Sequence, residues 1–254
     1  MKRFAAAALV ASVLSAGAAR AGPFDPPGRY SGVANANYNF AYSYPTAAGR
    51  IPALKARLDK EAAAEHKDIA SEAKDARAEA KENGSPFNPY DSTTEWQVVT
   101  DLPGWLSLSG FSSRYEGGAH PQHEPTALLW DKAENREVKA TDLFVSKAAL
   151  SKAILSPFCE SLNRERAKKR GAPVDPKSKD PFDTCFDPAG SIVILGSADH
   201  AHFTRIGILM GPYEAGPYVE GDYEVTLPVT PAVLAIVRPE YRNAFAPAPV
   251  GAKK

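Results

Sequence analysis

Histidines grouped with carboxylates are the residues in this sequence whose types could support chemistry. His120, His123 and Glu124 follow a pair of glycines, and residues 199–202 combine an aspartate with two more histidines. Imidazole and carboxylate groups are zinc ligands, and a catalytic zinc site needs three of them plus an open position. Neither spacing matches a helical zinc motif. We therefore expect hydrogen-bonded loop histidines at both places, with no metal and no other cofactor.

Other catalytic patterns are also missing from the sequence. No serine stands in a nucleophile elbow, no glycine-rich phosphate loop follows a predicted strand, and no pair of carboxylates stands out. The absence of these constellations lowers the expectation of an enzyme. We predict a protein without catalytic activity. The alternative that stays open is an envelope hydrolase that uses the region of His120 and His123.

Two loops with glycine and proline hold the candidate binding residues. The first follows an alternating strand over residues 105–115, and the second, residues 211–222, carries tyrosines and closes in a strand. Glycine permits close backbone approach, and tyrosine offers a large contact area at a small entropic cost. We predict that the loops lie close together and bind a partner. An equally open alternative is that the tyrosines fill the core beneath the loops. The candidate binding residues are Tyr115, Gly117, Gly118, His120, Tyr213 and Tyr218.

The N-terminal segment has the composition of a secretory signal peptide. A basic pair, Lys2-Arg3, precedes a short apolar run, and Ala19-Arg20-Ala21 has the small-x-small cleavage pattern. We predict cleavage after Ala21 and a periplasmic or secreted protein. Removal of residues 1–21 leaves 27 basic against 30 acidic residues, which disfavours nucleic acid as a partner. No later segment has the roughly 18 apolar residues of a membrane span.

The two cysteines fit an exported protein. Cys159 and Cys185 are the only cysteines in the chain, and an oxidising compartment favours joining them. We predict an intrachain disulfide whose Cα atoms lie within about 7 Å of each other. Two separately buried thiols are the alternative.

The predicted elements give an α+β fold of mainly antiparallel strands with a few helices. A strand over residues 38–44 has an aromatic inner face, for which core packing is favoured over an exposed binding face. A helix over residues 52–82 is expected to dock at its start and to be solvated over its later turns. A second helix begins after Ser146 and buries a stripe, with a kink or a break at Pro157.

The predicted domain plan has four parts. Residues 1–21 are the signal peptide, residues 22–110 a small N-terminal subdomain, residues 111–240 a larger C-terminal subdomain, and residues 241–254 a disordered tail. Within the first subdomain, residues 22–32 are expected to be an irregular arm and residues 85–94 a loop.

Several motifs in this order resemble a bacterial extracytoplasmic module. They are Tyr-Glu-Gly-Gly-Ala-His at residues 115–120 and Thr-Asp-Leu-Phe at residues 141–144. A third motif consists of Pro-Tyr at residues 212–213, Gly-Pro-Tyr at residues 216–218, Gly221, and Glu-Val-Thr-Leu-Pro at residues 224–228. The module occurs in the lysozyme-sensing anti-sigma factor RsiV and as a non-catalytic region of the peptidoglycan deacetylase PdaC. Tyr-Ser-Tyr-Pro at residues 42–45, followed by a helix, resembles the subdomain that precedes it. The resemblance covers residues 35–239.

The resemblance implies a binding module of the cell envelope whose partner is a lysozyme-like protein or a peptidoglycan fragment. In RsiV the module binds lysozyme and gates proteolysis of a membrane-spanning chain. This sequence shows no transmembrane helix, no sigma-binding segment and no appended deacetylase domain. Signalling and deacetylation are therefore not carried over to it.

Overall fold

The structure is a computed structural model that describes residues 27–248. The predicted signal peptide, residues 1–21, lies outside the described residues. The strands are β1 (Pro27–Ala34), β2 (Tyr38–Pro45), β3 (Tyr90–Asp101), β4 (Trp105–Tyr115), β5 (Gln122–Asp131), β6 (Arg136–Val138), β7 (Ile192–Gly196), β8 (Arg205–Met210) and β9 (Tyr223–Pro228). The α-helices are α1 (Thr46–Gly49), α2 (Pro52–Glu82), α3 (Lys147–Arg170) and α4 (Pro231–Ala235).

The strands form two sheets, which confirms the α+β class. Strands β1 to β6 make one sheet in sequence order, and β7, β8 and β9 make a second. Every neighbouring pair is antiparallel except β2 and β3, which are parallel because α2 crosses over between them. Strand β7 packs on β3, β4 and β5, and α3 packs against β9.

Helix α2 covers one face of the first sheet. Its buried residues Leu54, Leu58 and Ile69 meet the aromatic face of β2, where Phe40, Tyr42 and Tyr44 are almost fully buried. The prediction that this aromatic face packs in the core is confirmed. The tyrosine hydroxyls point to the helix, and that of Tyr42 donates to Glu61 at 2.8 Å.

The later turns of α2 are docked as well, which the sequence did not lead us to expect. Ile69 and Ala73 are fully buried, and Glu72 pairs with Arg114 of β4. Arg77 donates to the carbonyl of Ala36 in the β1–β2 turn. The helix is held along most of its length because these contacts continue past its middle.

A second core lies between the second sheet and α3. Ser146 caps α3 by accepting a hydrogen bond from the Ala149 amide, and the predicted stripe of Leu150, Ile154, Phe158 and Leu162 is buried. The helix runs through Pro157 without a break, contrary to a division there.

Two predicted irregular segments are strands. Residues 27–34 form β1 on the edge of the sheet, where a first-position proline is tolerated and Gly28 lies too close to the backbone of Thr46 for a side chain. Residues 90–94 belong to β3 although they are polar. Ser92 and Thr94 are buried there, and Thr94 donates to Glu65 of α2.

The chain does not divide where the domain plan placed its boundary. Residues 110 and 111 lie in the middle of β4, whose pairing with β3 and β5 continues on both sides. The change of sheet falls between β6 and β7 instead.

Residues 241–248, which the domain plan assigned to a disordered tail, belong to the fold. Residues 239–244 form a 3₁₀-helix, and Phe245 is buried against Phe203 and Phe144. These aromatic contacts bring the chain into the second core as far as residue 245. Residues 249–254 lie outside the described part.

Candidate functional site

The two glycine-rich loops touch each other. The Tyr218 hydroxyl donates to the Pro121 carbonyl at 2.7 Å. The His120 ring stacks on the Tyr218 ring with 3.9 Å between centroids. The predicted proximity of the two candidate loops is therefore present in the structure.

An aromatic group at the solvent surface joins the loops, and we call it the ring cluster: Phe111, His120, His123, Tyr213 and Tyr218. Tyr218 is its centre, with the His123 ring 5.4 Å away and the Tyr213 ring 5.9 Å away. Phe111 lies 5.5 Å from His123. Tyr213 is 56% exposed and Phe111 41% exposed. The alternative in which Tyr115, Tyr213 and Tyr218 fill the core is wrong, because none of them is buried.

Tyr213 is held in a strained backbone conformation. Its φ is 67°, in the left-handed region that bulky residues rarely adopt. A hydrogen bond of 2.9 Å from its amide to the Gly216 carbonyl closes the turn. Such outliers persist only where the surrounding structure imposes them, and they concentrate at functional sites.

His123 connects the cluster to the half-buried carboxylate of Asp222. Its Nε2 atom lies 3.2 Å from Asp222 Oδ1, close enough for an ion pair, but the contact lacks hydrogen-bond geometry. Burial raises the pKa of Asp222, and the nearby charges of His123 and Lys169 only partly oppose this. The buried Oδ1 atom of Asp222 thus has no hydrogen-bond partner among the described residues.

The last turns of α3 brace the loop of residues 211–222 from behind. Arg170 makes a two-pronged contact with the Glu220 carboxylate, at 2.8 and 3.1 Å. Lys169 donates to the carbonyls of Glu220 and Asp222. A side chain at Gly216 would displace the Glu220 carboxylate from its place beneath the loop, because a Cβ there would lie 2.2 Å from it. The loop presents Tyr218 on a fixed frame.

An open cleft of about 650 Å³ adjoins the ring cluster. Polar groups line much of it, including Ser112, Gln122 and Glu124, and His123 reaches its wall. A second recess of about 450 Å³ lies beside Gly118 and His120. The cluster therefore stands between two concave surfaces where a partner has room to bind.

The other predicted binding residues shape the first loop. Gly117 has a φ of 81°, which a residue with a side chain would adopt only under strain, whereas Gly118 faces open space. Tyr115 ends β4 and is partly buried, and it has no ring contact with the cluster. Tyr115 thus lies at the base of the loop, and His120 lies at the surface.

The second histidine group is a local loop structure. Asp199 accepts hydrogen bonds from the amides of Ala201 and His202 and from the His202 ring. These bonds outweigh the effect of burial and hold the pKa of Asp199 well below its usual value. Within residues 27–248, no three His, Cys, Asp or Glu side chains come together as a metal site would require.

Sequence reasoning missed part of the site. Phe111 joins the cluster because β4 and β5 pair Ser113 with His123, which places Phe111 diagonally opposite that histidine. The register was hidden in the sequence, because β5 begins at Gln122 with polar residues and a proline that do not look like a strand. Asp222 and the bracing arginine were also missed, since only the folded chain brings them to the loop.

The predicted disulfide joins Cys159 of α3 to Cys185, with 5.6 Å between the Cα atoms. This separation is within the predicted limit. None of the helices in the described part of the chain has the length and apolar surface needed to cross a bilayer.

Comparisons with known proteins agree with the resemblance seen in the sequence. Residues 32–123 match the family model described as "Deacetylase PdaC". No curated protein matches the chain. A solved DUF3298-family protein from Bacteroides fragilis is 14% identical with a TM-score of 0.51, over 85% of this chain and 94% of that one. Another, from Pseudomonas aeruginosa, is 15% identical with a TM-score of 0.48, over 89% of this chain and 99% of that one.

The family match and the structural match describe different extents of the chain. The matched residues 32–123 run from β1 to the start of β5, so they cover most of the first sheet and all of α2. The likeness to the Bacteroides fragilis protein extends over both sheets and shows the fold alone. Residues 32–123 are thus similar to the PdaC family, within a chain whose fold resembles that of a DUF3298-family protein.

Proposed function

We propose that this protein is an exported, non-catalytic binding module of the cell envelope, and that the ring cluster is its partner-binding surface. The observation that carries the proposal is the arrangement of the cluster, in which aromatic rings from two separate loops stack at the surface. Of the six large apolar side chains exposed within residues 27–248, Phe111, Tyr213 and Val219 lie in or beside it. Exposed apolar groups that gather in one place mark interaction sites, whereas scattered ones need no explanation.

The proposed partners are a lysozyme-like protein or a peptidoglycan fragment. Support comes from the PdaC-type match and from the chemistry of the surface, which offers flat rings beside a polar cleft. Tyrosine anchors of this kind contribute strongly to recognition when they are held rigidly. The proposed location outside the cytoplasm is supported by the disulfide and by the signal-peptide pattern.

The test is a comparison of binding to two probes, soluble lysozyme and purified peptidoglycan sacculi. We expect the protein to be retained by one of them and the His120→Ala variant to be retained at least about tenfold less, the effect of losing one anchor of roughly 1.4 kcal/mol. The matched control is Leu155→Ala, which removes an exposed apolar side chain on α3 outside the cluster. The proposal fails if neither probe binds, or if both variants bind like the original protein.

A further inference from the structure

Arg166 is a buried charge that links three parts of the structure. The residue is fully buried on α3, yet its hydrogen-bond partners are neutral. Burial and the charge of Arg170 lower the pKa of Arg166. A buried cation without a direct counter-ion costs stability unless every donor is used in a fixed arrangement.

Its hydrogen bonds join the loop of residues 211–222, called the ring-cluster loop, to the connection of residues 172–191 that contains Cys185. Arg166 Nε donates to the Ala215 carbonyl at 3.0 Å, which lies between Tyr213 and Tyr218 in the chain. Its Nη2 donates to the Thr184 carbonyl at 3.1 Å, one residue before Cys185. One guanidinium thus holds both loops at once, and its planar fork requires both carbonyls to be in place.

Arg170 repeats this bridge one turn later. Its guanidinium contacts the Asp183 carboxylate on one side and the Glu220 carboxylate on the other. Because both arginines bridge the same two segments, displacement of either segment changes the contacts of both arginines.

The disulfide holds the segment that supplies Asp183 and Thr184. Cys185 lies in the long connection between α3 and β7, and only a short 3₁₀-turn, Pro181–Asp183, orders the chain just before it. Cys185 is exposed and Cys159 is partly buried on α3. Without the covalent link, ordering this segment so that the Thr184 carbonyl accepts from Arg166 would cost more conformational entropy.

We propose that the Cys159–Cys185 disulfide is a redox-sensitive latch on the loop of residues 211–222, with Arg166 as the positioning residue that transmits its state. The order of the loop depends on the bond, whereas the consequence for partner binding rests on the proposed function. In the oxidised protein the latch is closed and Tyr218 is fixed against His120. In the reduced protein Thr184 leaves Arg166, and the loop loosens.

The reaction that opens the latch is thiol–disulfide exchange with a dithiol reductant. A thiolate of the reductant attacks the exposed Cys185 sulfur, and the Cys159 sulfur leaves and takes up a proton. The second thiol of the reductant then displaces Cys185 from the mixed disulfide, and Cys185 is also protonated. Two electrons pass to the protein, which gains two thiols while the reductant becomes a disulfide.

Hydrogen–deuterium exchange of the full mature chain tests the latch without any ligand, with dithiothreitol as the reductant. We expect reduction to speed amide exchange by at least tenfold both in residues 172–191 and in residues 211–222. The informative amides are those of Tyr213, Glu220 and Gly221, which are hydrogen-bonded within the loop. Strand β8 serves as the reference and should be unchanged.

Two results would overturn the proposal. Faster exchange confined to residues 172–191 would mean that the disulfide does not reach the ring-cluster loop. Faster exchange throughout β8 would mean that the disulfide stabilises the second core as a whole. Either result leaves the binding proposal intact, since that is tested on the oxidised protein.

The Arg166→Lys variant tests the route of transmission. A lysine keeps the charge but cannot donate to both carbonyls as a fork, so the loop of residues 211–222 should exchange faster already in the oxidised variant. Reduction should then add less than twofold at that loop. A full tenfold addition would contradict a role for Arg166. If β8 shows that this variant is not folded, Arg170→Lys is tested by the same criterion.

Discussion

Tyr213 of the ring cluster adopts a backbone conformation that is unfavourable in free energy. A left-handed φ is unfavourable by roughly 1–2 kcal/mol for a residue with a side chain, and glycine avoids this penalty. Tyr213 is also more than half exposed, so core packing does not compensate for the strain. Its side chain is therefore best explained by what it does at the surface.

A pair of variants measures this strain directly. At ordinary positions glycine is less favourable than alanine by about 0.5–1 kcal/mol, but at Tyr213 we expect Tyr213→Gly to be more stable than Tyr213→Ala by about 1 kcal/mol. Both variants lose the same ring, so their difference isolates the backbone. Denaturant unfolding measures the difference in free energy of unfolding between the two variants. A more stable alanine variant would show that the backbone of Tyr213 is unstrained.

The brace at Glu220 predicts a dependence on pH. Burial alone would raise the pKa of Glu220, but hydrogen bonds from Arg170 and Tyr223 outweigh it and hold the pKa below its usual value. A depressed pKa gives stability that is fully present above the unfolded value of about 4.3 and is lost as pH falls through the folded value. The melting temperature of the original protein should therefore fall below about pH 4.3.

The matched variant is Glu220→Gln, which removes the titrating group and keeps its shape. We expect it to melt lower than the original protein at pH 6 and the difference to shrink by pH 3. If the difference between the two melting temperatures stayed the same from pH 6 to pH 3, Glu220 would not stabilise the protein through its charge.

At the scale of elements, helices and strands with a continuous local sequence pattern were predictable. Elements that depend on contacts distant in sequence were not. Helix α2 has no internal glycine or proline, so its bounds followed from sequence, as did the aromatic face of β2. The polar start of β3 looked like a loop because its buried serine and threonine are explained only by the helix above them. Phe245 looked like part of a tail, because nothing nearby in sequence indicates its contact with Phe203.

Docking of the later turns of α2 can be measured with Ile69→Ala. Ile69 is fully buried in the first core, so truncation should cost about 2–5 kcal/mol of unfolding free energy. The control is Lys67→Ala on an outward-facing position of the same helix, which should change stability by less than about 0.5 kcal/mol. If both variants changed the free energy of unfolding by equally small amounts, the later turns of α2 would be solvated, as the sequence predicted.

At the scale of the whole molecule, the site exists because two sheets bring two loops together. The residue types at residues 115–121 and 211–222 were visible in the sequence, and so was their suitability for binding. Their geometry was not, because it depends on how β5 pairs with β4 and on how α3 braces the loop before β9. The stacking of His120 on Tyr218 is the result of that assembly.

The central claim is that Tyr218 is a surface anchor of the ring cluster and not a folding residue. The most direct measurement compares Tyr218→Ala with the original protein, scoring the melting temperature and the binding of lysozyme and of peptidoglycan sacculi separately. We predict a binding loss of at least about tenfold with a melting temperature shift of only a few degrees. A large loss of melting temperature, or unchanged binding to a probe that the original protein retains, would contradict the account.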